Sequence, residues 1–149
     1  MTNIRPSIPS DASRVVRIWR DAVDATHHFL SPEDRKAIGA EVDAFLPHAS
    51  LTVRVDEHDV PVGFMLIDDD HMEALFIDPE WRGRGIGRDL VLHALASRPG
   101  LTTDVNEQNA QAVGFYERMG FQRTGRSEHD GQGRAYPLIH LRWRQQPLA

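Results

Sequence analysis

The sequence predicts an α+β fold: a single domain, residues 1–149, built on one mixed sheet of about seven strands with four helices. Three observations lead there. The length, 149 residues, is close to that of the commonest single domains and is enough to bury one core without metal or disulfide staples. The composition is that of an ordinary globule, 40% hydrophobic and 26% charged. The elements run as a strand and two helices, hairpin-linked strands, an alternation of strand and helix, and a last antiparallel pair. There is no internal repeat and no linker, so this order describes a mixed sheet rather than a regular doubly wound one.

Each element has its own signal. Ile4 to Ile8 reads as a short strand weakened by Pro6 and Pro9, and Ser10 or Asp11 offers an N-cap for a helix whose apolar face is Val15, Val16, Ile18, Trp19, Ala22 and Val23. Ser31-Pro32-Glu33-Asp34 supplies a cap, a proline at the first helical position and first-turn acids, starting a second helix that ends before Pro47. Its expected buried residues are Ala37, Ile38, Ala40, Val42, Phe45 and Leu46. Leu51 to Val55 alternates as a half-buried strand, Glu57-His58-Asp59 turns, and Val60 to Ile67 is β-rich around Gly63. Asp68-Asp69-Asp70 closes a second hairpin onto the strand His71 to Ile77. A glycine-rich turn then opens a helix from about Arg88 to Ser97, ended by Pro99-Gly100. Leu101 to Val105 is a strand, Asn109 to Met119 a helix with Gly120 placed to terminate it, and Phe121 to Arg126 with Leu138 to Trp143 the final pair.

Composition excludes several kinds of chemistry. With no cysteine there is no disulfide, no thiolate nucleophile and no thiolate metal site. The eight histidines form no His-Glu-x-x-His pattern, and no Gly-x-Ser-x-Gly elbow is present, so metal and nucleophilic serine catalysis are not expected. The net charge of -5 argues against a nonspecific nucleic-acid binder. The stretch Met1 to Pro6 lacks the apolar core of a signal peptide, and no segment approaches the ~20 apolar residues of a membrane span. A cytoplasmic protein without a membrane partner, monomeric or homodimeric, is the expectation. Lys36 is the single lysine among 17 basic residues. Arginine, able to bind phosphate in a planar bidentate way, supplies the other positive charge.

The segment Arg82-Gly83-Arg84-Gly85-Ile86-Gly87 carries the strongest functional signal. Closely spaced glycines between a strand and a helix let successive backbone N–H groups converge on an anion, and the helix N-terminus adds its partial positive charge. The spacing fails the dinucleotide fingerprint, whose third glycine would fall on Arg88, and it lacks the Gly-Lys-Ser/Thr ending of a nucleoside triphosphate loop. Taken alone, the segment could equally be a surface turn with solvated arginines.

Its surroundings decide between those readings. Arg82-x-x-Gly85-x-Gly87, following Leu75-Phe76-Ile77-Asp78-Pro79, resembles the signature of the GNAT superfamily of N-acetyltransferases, and Asn109-x-x-Ala112-x-x-Phe115-Tyr116-x-x-x-Gly120-Phe121 resembles the helix that closes the same site. Val23 to Leu30, Pro61 to Leu66 and Val105 to Asn109 are similar to the bacterial YjaB-type peptidyl-lysine N-acetyltransferases within it. The resemblance covers almost the whole chain. It implies a strongly twisted GNAT sheet whose central strands, His71 to Ile77 and Leu101 to Val105, splay to admit the pantetheine arm of acetyl-coenzyme A as a co-substrate. No metal is implied.

The resemblance also implies roles for residues. Arg82, Gly83, Arg84, Gly85, Ile86, Gly87 and Arg88 would hold the pyrophosphate, and the backbone of Leu75, Phe76 and Ile77 would bond the pantetheine amides. Asn106 and Asn109 would also contact the cofactor; a turn residue and an N-cap are their plainer roles. Tyr116 would protonate the departing thiolate, against the plainer reading of a core aromatic. Glu73 would deprotonate the acceptor amine, with Asp104 as a substitute, or else be a solvated strand carboxylate. His27, His28 and Phe29 would wall the acceptor pocket, as would Tyr136, an aromatic plug being the alternative for the last. The expected reaction is direct acetyl transfer to a primary amine, a protein or peptide lysine first. Acetylation of a polyamine, amino acid or antibiotic, or coenzyme A binding without catalysis, are the alternatives.

Overall fold

The computed structural model describes residues 3–144. Its elements are β1 (Ile4–Pro6), α1 (Ala12–Thr26), α2 (Pro32–Phe45), β2 (Thr52–Val55), β3 (Pro61–Asp68), β4 (His71–Ile77), α3 (Ile86–Ser97), β5 (Thr102–Asn106), α4 (Ala110–Met119), β6 (Phe121–Ser127) and β7 (Leu138–Trp143). The strands form one open seven-stranded sheet in the order β1-β2-β3-β4-β5-β7-β6. It is mixed as expected: β1 with β2, β2 with β3, β5 with β7 and β6 with β7 pair antiparallel, whereas β4 and β5 pair parallel. That parallel ladder holds two residue pairs, His71 with Thr102 and Met72 with Thr103, in strands of seven and five residues.

Several boundaries differ from the sequence reading for identifiable reasons. β1 stops at Pro6, and Ile8, expected inside the strand, lies half exposed beyond it. α3 begins at Ile86 rather than near Arg88, because Gly87 occupies the first helical turn, where the orphan N–H groups need no partner within the helix. Of the six, only Ile38, Val42 and the following Leu46 face the core; Ala37 and Ala40 are exposed, and Phe45 is 57% exposed. One helix face cannot hold all six apolar positions, so periodicity alone overstated that face. The Ser31 cap formed as read, its side chain accepting from Asp34 N–H at 3.1 Å. Both hairpin tips place an aspartate in the left-handed region, Asp59 at φ 63° and Asp69 at φ 53°, a conformation that aspartate tolerates better than most residues.

The described residues pack as two compact units: residues 3–67 together with Ala74–Val91, and Asp68–Glu73 together with residues 92–144. In the first unit the α1 face read from the sequence, Val15, Ile18, Trp19 and Val23, packs with Leu46, Leu51, Val53, Val55 and Phe64. Removing this much apolar surface from water is the main stabilising term of such a unit. Two buried aspartates brace it: Asp11 accepts from Arg5 at 2.8 Å, and Asp78 accepts from Arg14. The Arg5 guanidinium holds the Asp11 carboxyl below the usual carboxylate range. In the second unit Leu101, Val105, Val113, Tyr116, Phe121, Ile139 and Leu141 are buried, and Trp143 Nε1 donates to the Met119 carbonyl at 2.9 Å. Gly120 ends α4 at φ 105°, the left-handed stop expected there. Among the described residues no helix is long and apolar enough to cross a membrane, and no group of three or more histidines or carboxylates is arranged to hold a metal.

Candidate active site

The first unit contains the glycine-rich turn. Asp78 sets its entry: its backbone N–H donates to Val62 at 2.9 Å, and its side chain accepts from Glu80 N–H at 3.0 Å, starting the single helical turn Pro79–Trp81. Gly83 and Gly85 then take φ of 75° and 77°. A Cβ at either position would meet no atom within 4 Å, so glycine is required there for backbone conformation and not for space. Asp89 N–H donates to the Gly85 carbonyl at 2.9 Å and closes the first bond of α3. The N–H groups of Ile86, Gly87 and Arg88 therefore have no carbonyl one turn behind them, and the positive end of the helix dipole adds to them. This arrangement accepts an anion. Arg82 and Arg84 are exposed beside it, the Arg84 guanidinium lying 4.5 Å from the centre of the Trp81 ring.

The end of β4 and the end of α1 meet in the same unit. Leu75, Phe76 and Ile77 are half-buried, and the Phe76 ring lies 5.7 Å from that of Phe64 and 6.4 Å from that of His27. Phe29 stands 5.2 Å from His27. The structure thus brings together His27, Phe29 and Phe76, which the sequence assigned separately to acceptor and cofactor. Thr26 donates its hydroxyl to Ala22 at 2.7 Å, so its oxygen accepts from His27 Nδ1–H, also at 2.7 Å. Burial, with a smaller contribution from His28, lowers the His27 imidazole below its ordinary range. His28 is exposed and lies 3.0 Å from the Ala25 carbonyl. Gly63 on β3 is pressed close to this region, since a Cβ there would come within 2.9 Å of Ile77 and Ile86 side chains.

The second unit holds the side-chain chemistry. Tyr116 is 7% exposed, edge-on to Phe115 and Phe121 at 5.2 and 5.4 Å. Burial pushes its phenol far above the ordinary range, only partly offset by a hydrogen bond with Thr103. At neutral pH the phenol therefore keeps its proton and does not serve as a base. Thr103 in turn donates to the Met72 carbonyl at 2.9 Å. Asn106 and Asn109 adopt the plainer of their two roles: the Asn106 side chain accepts from Gln108 N–H at 2.9 Å in a turn, and Asn109 caps α4 by accepting from Ala112 N–H at 3.2 Å. Tyr136 is buried, as a core plug is.

Glu73 is exposed on β4, on the side opposite buried Met72. By strand alternation it shares a face with His71. Sequence reading missed what else stands on that face. Asp104 Oδ1 lies 2.6 Å from His140 Nδ1, its Oδ2 lies 3.4 Å from His71 Nε2, His71 Nδ1 lies 2.7 Å from Thr102 Oγ1, and His140 Nε2 lies 2.6 Å from Ser127 Oγ. The signal was present only in part: each residue sits at an outward position of its strand, but nothing in the sequence fixed the register that pairs Asp104 with His140.

Residues 20–137 match the model of the acetyltransferase (GNAT) domain family. The chain belongs to the GNAT acetyltransferase family. The family's chemistry, acetyl transfer, is therefore that of this chain, an N-acetyltransferase, and the resemblance read from the motifs holds. The GNAT chain is 57% identical over 141 residues to the peptidyl-lysine N-acetyltransferase YjaB of Salmonella typhimurium, covering 95% of this chain and 97% of that protein. The solution structure of apo-form YjaB from Escherichia coli superposes with a TM-score of 0.90 at 56% identity, covering 94% and 95% of the two chains. The PaiA N-acetyltransferase of Thermoplasma acidophilum, solved in complex with coenzyme A, shares the fold at a TM-score of 0.75 with 17% identity, covering 97% and 100%.

Proposed function

We propose that this GNAT enzyme, acting as one domain, transfers an acetyl group from acetyl-coenzyme A to a protein or peptide lysine by direct attack of the amine on the thioester. The observation that carries this reading is the turn at residues 82–88, an anion-ready helix start in a chain 57% identical to a peptidyl-lysine N-acetyltransferase. The pyrophosphate of the cofactor is bound by the backbone N–H groups that open α3, with Arg82, Arg84 and Arg88 as peripheral cations. The backbone of Leu75, Phe76 and Ile77 bonds the pantetheine arm, in keeping with a parallel ladder limited to two pairs. Asn106 and Asn109 serve this cofactor by shaping the turn and the helix start that follow β5.

When bound, acetyl-coenzyme A supplies an acyl group activated as a thioester. Tyr116, buried and held protonated, gives its proton to the thiolate as the carbon–sulfur bond breaks. The outward carboxylates Glu73 and Asp104 attract the lysine ammonium, and in the simplest reading Glu73 removes its proton. His27, His28 and Phe29 in the first unit, and separately Tyr136 in the second, are the side chains offered to the acceptor. Thiol release from acetyl-coenzyme A, measured across lysine peptides, polyamines and aminoglycosides, tests the reading. Release with lysine peptides supports it, release with small amines alone would move the acceptor to that class, and coenzyme A binding with no release for any amine would leave a noncatalytic module.

A further inference from the structure

The glycine-rich turn is held at its entry by a residue that does not belong to it. Asp78, where the turn begins, is buried with every polar group engaged. Its backbone N–H donates to the Val62 carbonyl at 2.9 Å, its carbonyl accepts from Trp81 N–H at 2.8 Å, and its Oδ1 accepts from Glu80 N–H at 3.0 Å. Its Oδ2 takes the guanidinium of Arg14, which reaches it from the first turn of α1. The Nε of Arg14 also donates to the Pro61 carbonyl at 2.9 Å. Pro61 and Val62 are successive residues of β3. One guanidinium therefore ties α1 to the start of β3 and to the point where β4 gives way to the turn, all within the first unit.

Removing Arg14 would act on the turn through Asp78. The Asp78 side chain is 7% exposed, so without its partner one carboxylate oxygen is left charged and out of water, which is costly. The carboxylate relieves that cost by turning toward solvent, and it then gives up the Glu80 N–H bond that starts Pro79–Trp81. Gly83 and Gly85 follow, and with them the N–H groups that open α3. A backbone anion site has no side chain that can re-aim itself, so its affinity depends on how closely the chain is held. The exit of the turn has only a looser tie: Arg54 Nε lies 3.6 Å from Oδ2 of the half-exposed Asp89, and a pair of that length and exposure contributes little. Arg82, Arg84 and Arg88 are exposed at the turn itself. Arg14 differs from them, because its Nε and one terminal nitrogen are committed to the protein.

We propose that Arg14 is a positioning residue for the cofactor: through Asp78 it holds the backbone N–H groups of the turn in the arrangement that takes the pyrophosphate of acetyl-coenzyme A. This rests on the reading of residues 82–88 as the pyrophosphate site. It gives α1 a part in cofactor binding besides its part in the core.

The experiment titrates acetyl-coenzyme A calorimetrically into the intact protein and its Arg14→Ala, Arg14→Lys and Arg35→Ala variants, and measures kcat and KM with a lysine peptide on the same samples. Arg35 is the control. Its guanidinium, about as exposed as that of Arg14, pairs with Asp24 at 2.7 Å and lies over Trp19, both on α1 and not at the turn. Positioning predicts that Arg14→Ala weakens acetyl-coenzyme A by about tenfold or more and raises its KM to match, while kcat at saturation stays near that of the intact protein. Guanidinium ion, added below denaturing concentrations, restores part of the affinity. Arg14→Lys keeps the charge but reaches one acceptor where arginine spans two, so it loses affinity by a smaller factor. Arg35→Ala, which loosens the same unit away from the turn, leaves the affinity unchanged. Full affinity in both Arg14 variants, or an equal loss in Arg35→Ala, would overturn the positioning role and leave the acetyltransferase reading standing. Should Arg14→Ala fail to fold, Arg14→Lys decides by the same criterion. No binding of acetyl-coenzyme A by the intact protein would overturn both.

Discussion

The two compact units handle charge by different means. In the first, the groups suited to an anion are backbone N–H groups, aimed by two glycines at positive φ and by the start of α3. In the second, the titratable groups are side chains: a buried phenol on one face of β5 and a His–Asp pair on the other. A backbone site is insensitive to most side-chain changes and sensitive to those that alter φ or insert charge. A side-chain site fails atom by atom.

That contrast can be broken or sharpened by substitution. The largest expected effect is at Tyr116. Tyr116→Phe removes the proton donor but leaves the edge-on packing with Phe115 and Phe121, so thiol-release turnover should fall more than about tenfold while acetyl-coenzyme A still raises the melting temperature. Next comes the turn. Gly85→Asp places a side chain at φ 77° and a negative charge at the anion site, so calorimetric titration with acetyl-coenzyme A should show a greater loss of affinity than Arg84→Ala, whose guanidinium rests on Trp81. Equal losses would mean that arginine side chains and not backbone groups hold the pyrophosphate.

A smaller effect concerns packing behind the turn. Gly63→Val would drive a side chain into Ile77, Ile86 and the Phe76 carbonyl, and urea denaturation should register a loss of about 1–3 kcal/mol. The smallest is a pH effect at His27. Burial keeps that imidazole neutral in the folded chain, whereas the unfolded chain takes up a proton as pH falls below the ordinary imidazole range. The unfolded state then binds more protons, so stability present at neutral pH is lost on acidification. Melting temperatures followed downward from neutrality should fall less steeply for His27→Phe than for the unaltered protein.

How much of this was legible in the sequence follows the same division. The turn was legible because φ constraints are written directly as glycine, and the helix that carries Tyr116 because Asn109 and Gly120 mark its two ends, whereas the role given to Tyr116 came from the family resemblance alone. The α1 core face was legible from its period, but α2 was not, since an apolar residue such as Phe45 can sit on an exposed face as well as a buried one. Asp78 and Asp11, buried against arginines distant from or near them in sequence, look like surface acids until folding brings those partners in. The series from His71 through Asp104 and His140 to Ser127 depends on the register of four strands, and the ten residues between β6 and β7 carry no pattern that sets it. Asn106 and Asn109 show the opposite case, with local hydrogen bonding accounting for both side chains.

The most direct test sets the two units against each other in one steady-state experiment: kcat and the KM for acetyl-coenzyme A, with a lysine peptide as acceptor, for Gly85→Asp and Tyr116→Phe side by side. A backbone cofactor site and a side-chain proton site predict a clean split, with Gly85→Asp raising KM at nearly unchanged kcat and Tyr116→Phe lowering kcat at nearly unchanged KM. The contradicting result is Tyr116→Phe turning over like the unaltered enzyme, or both variants moving kcat and KM together.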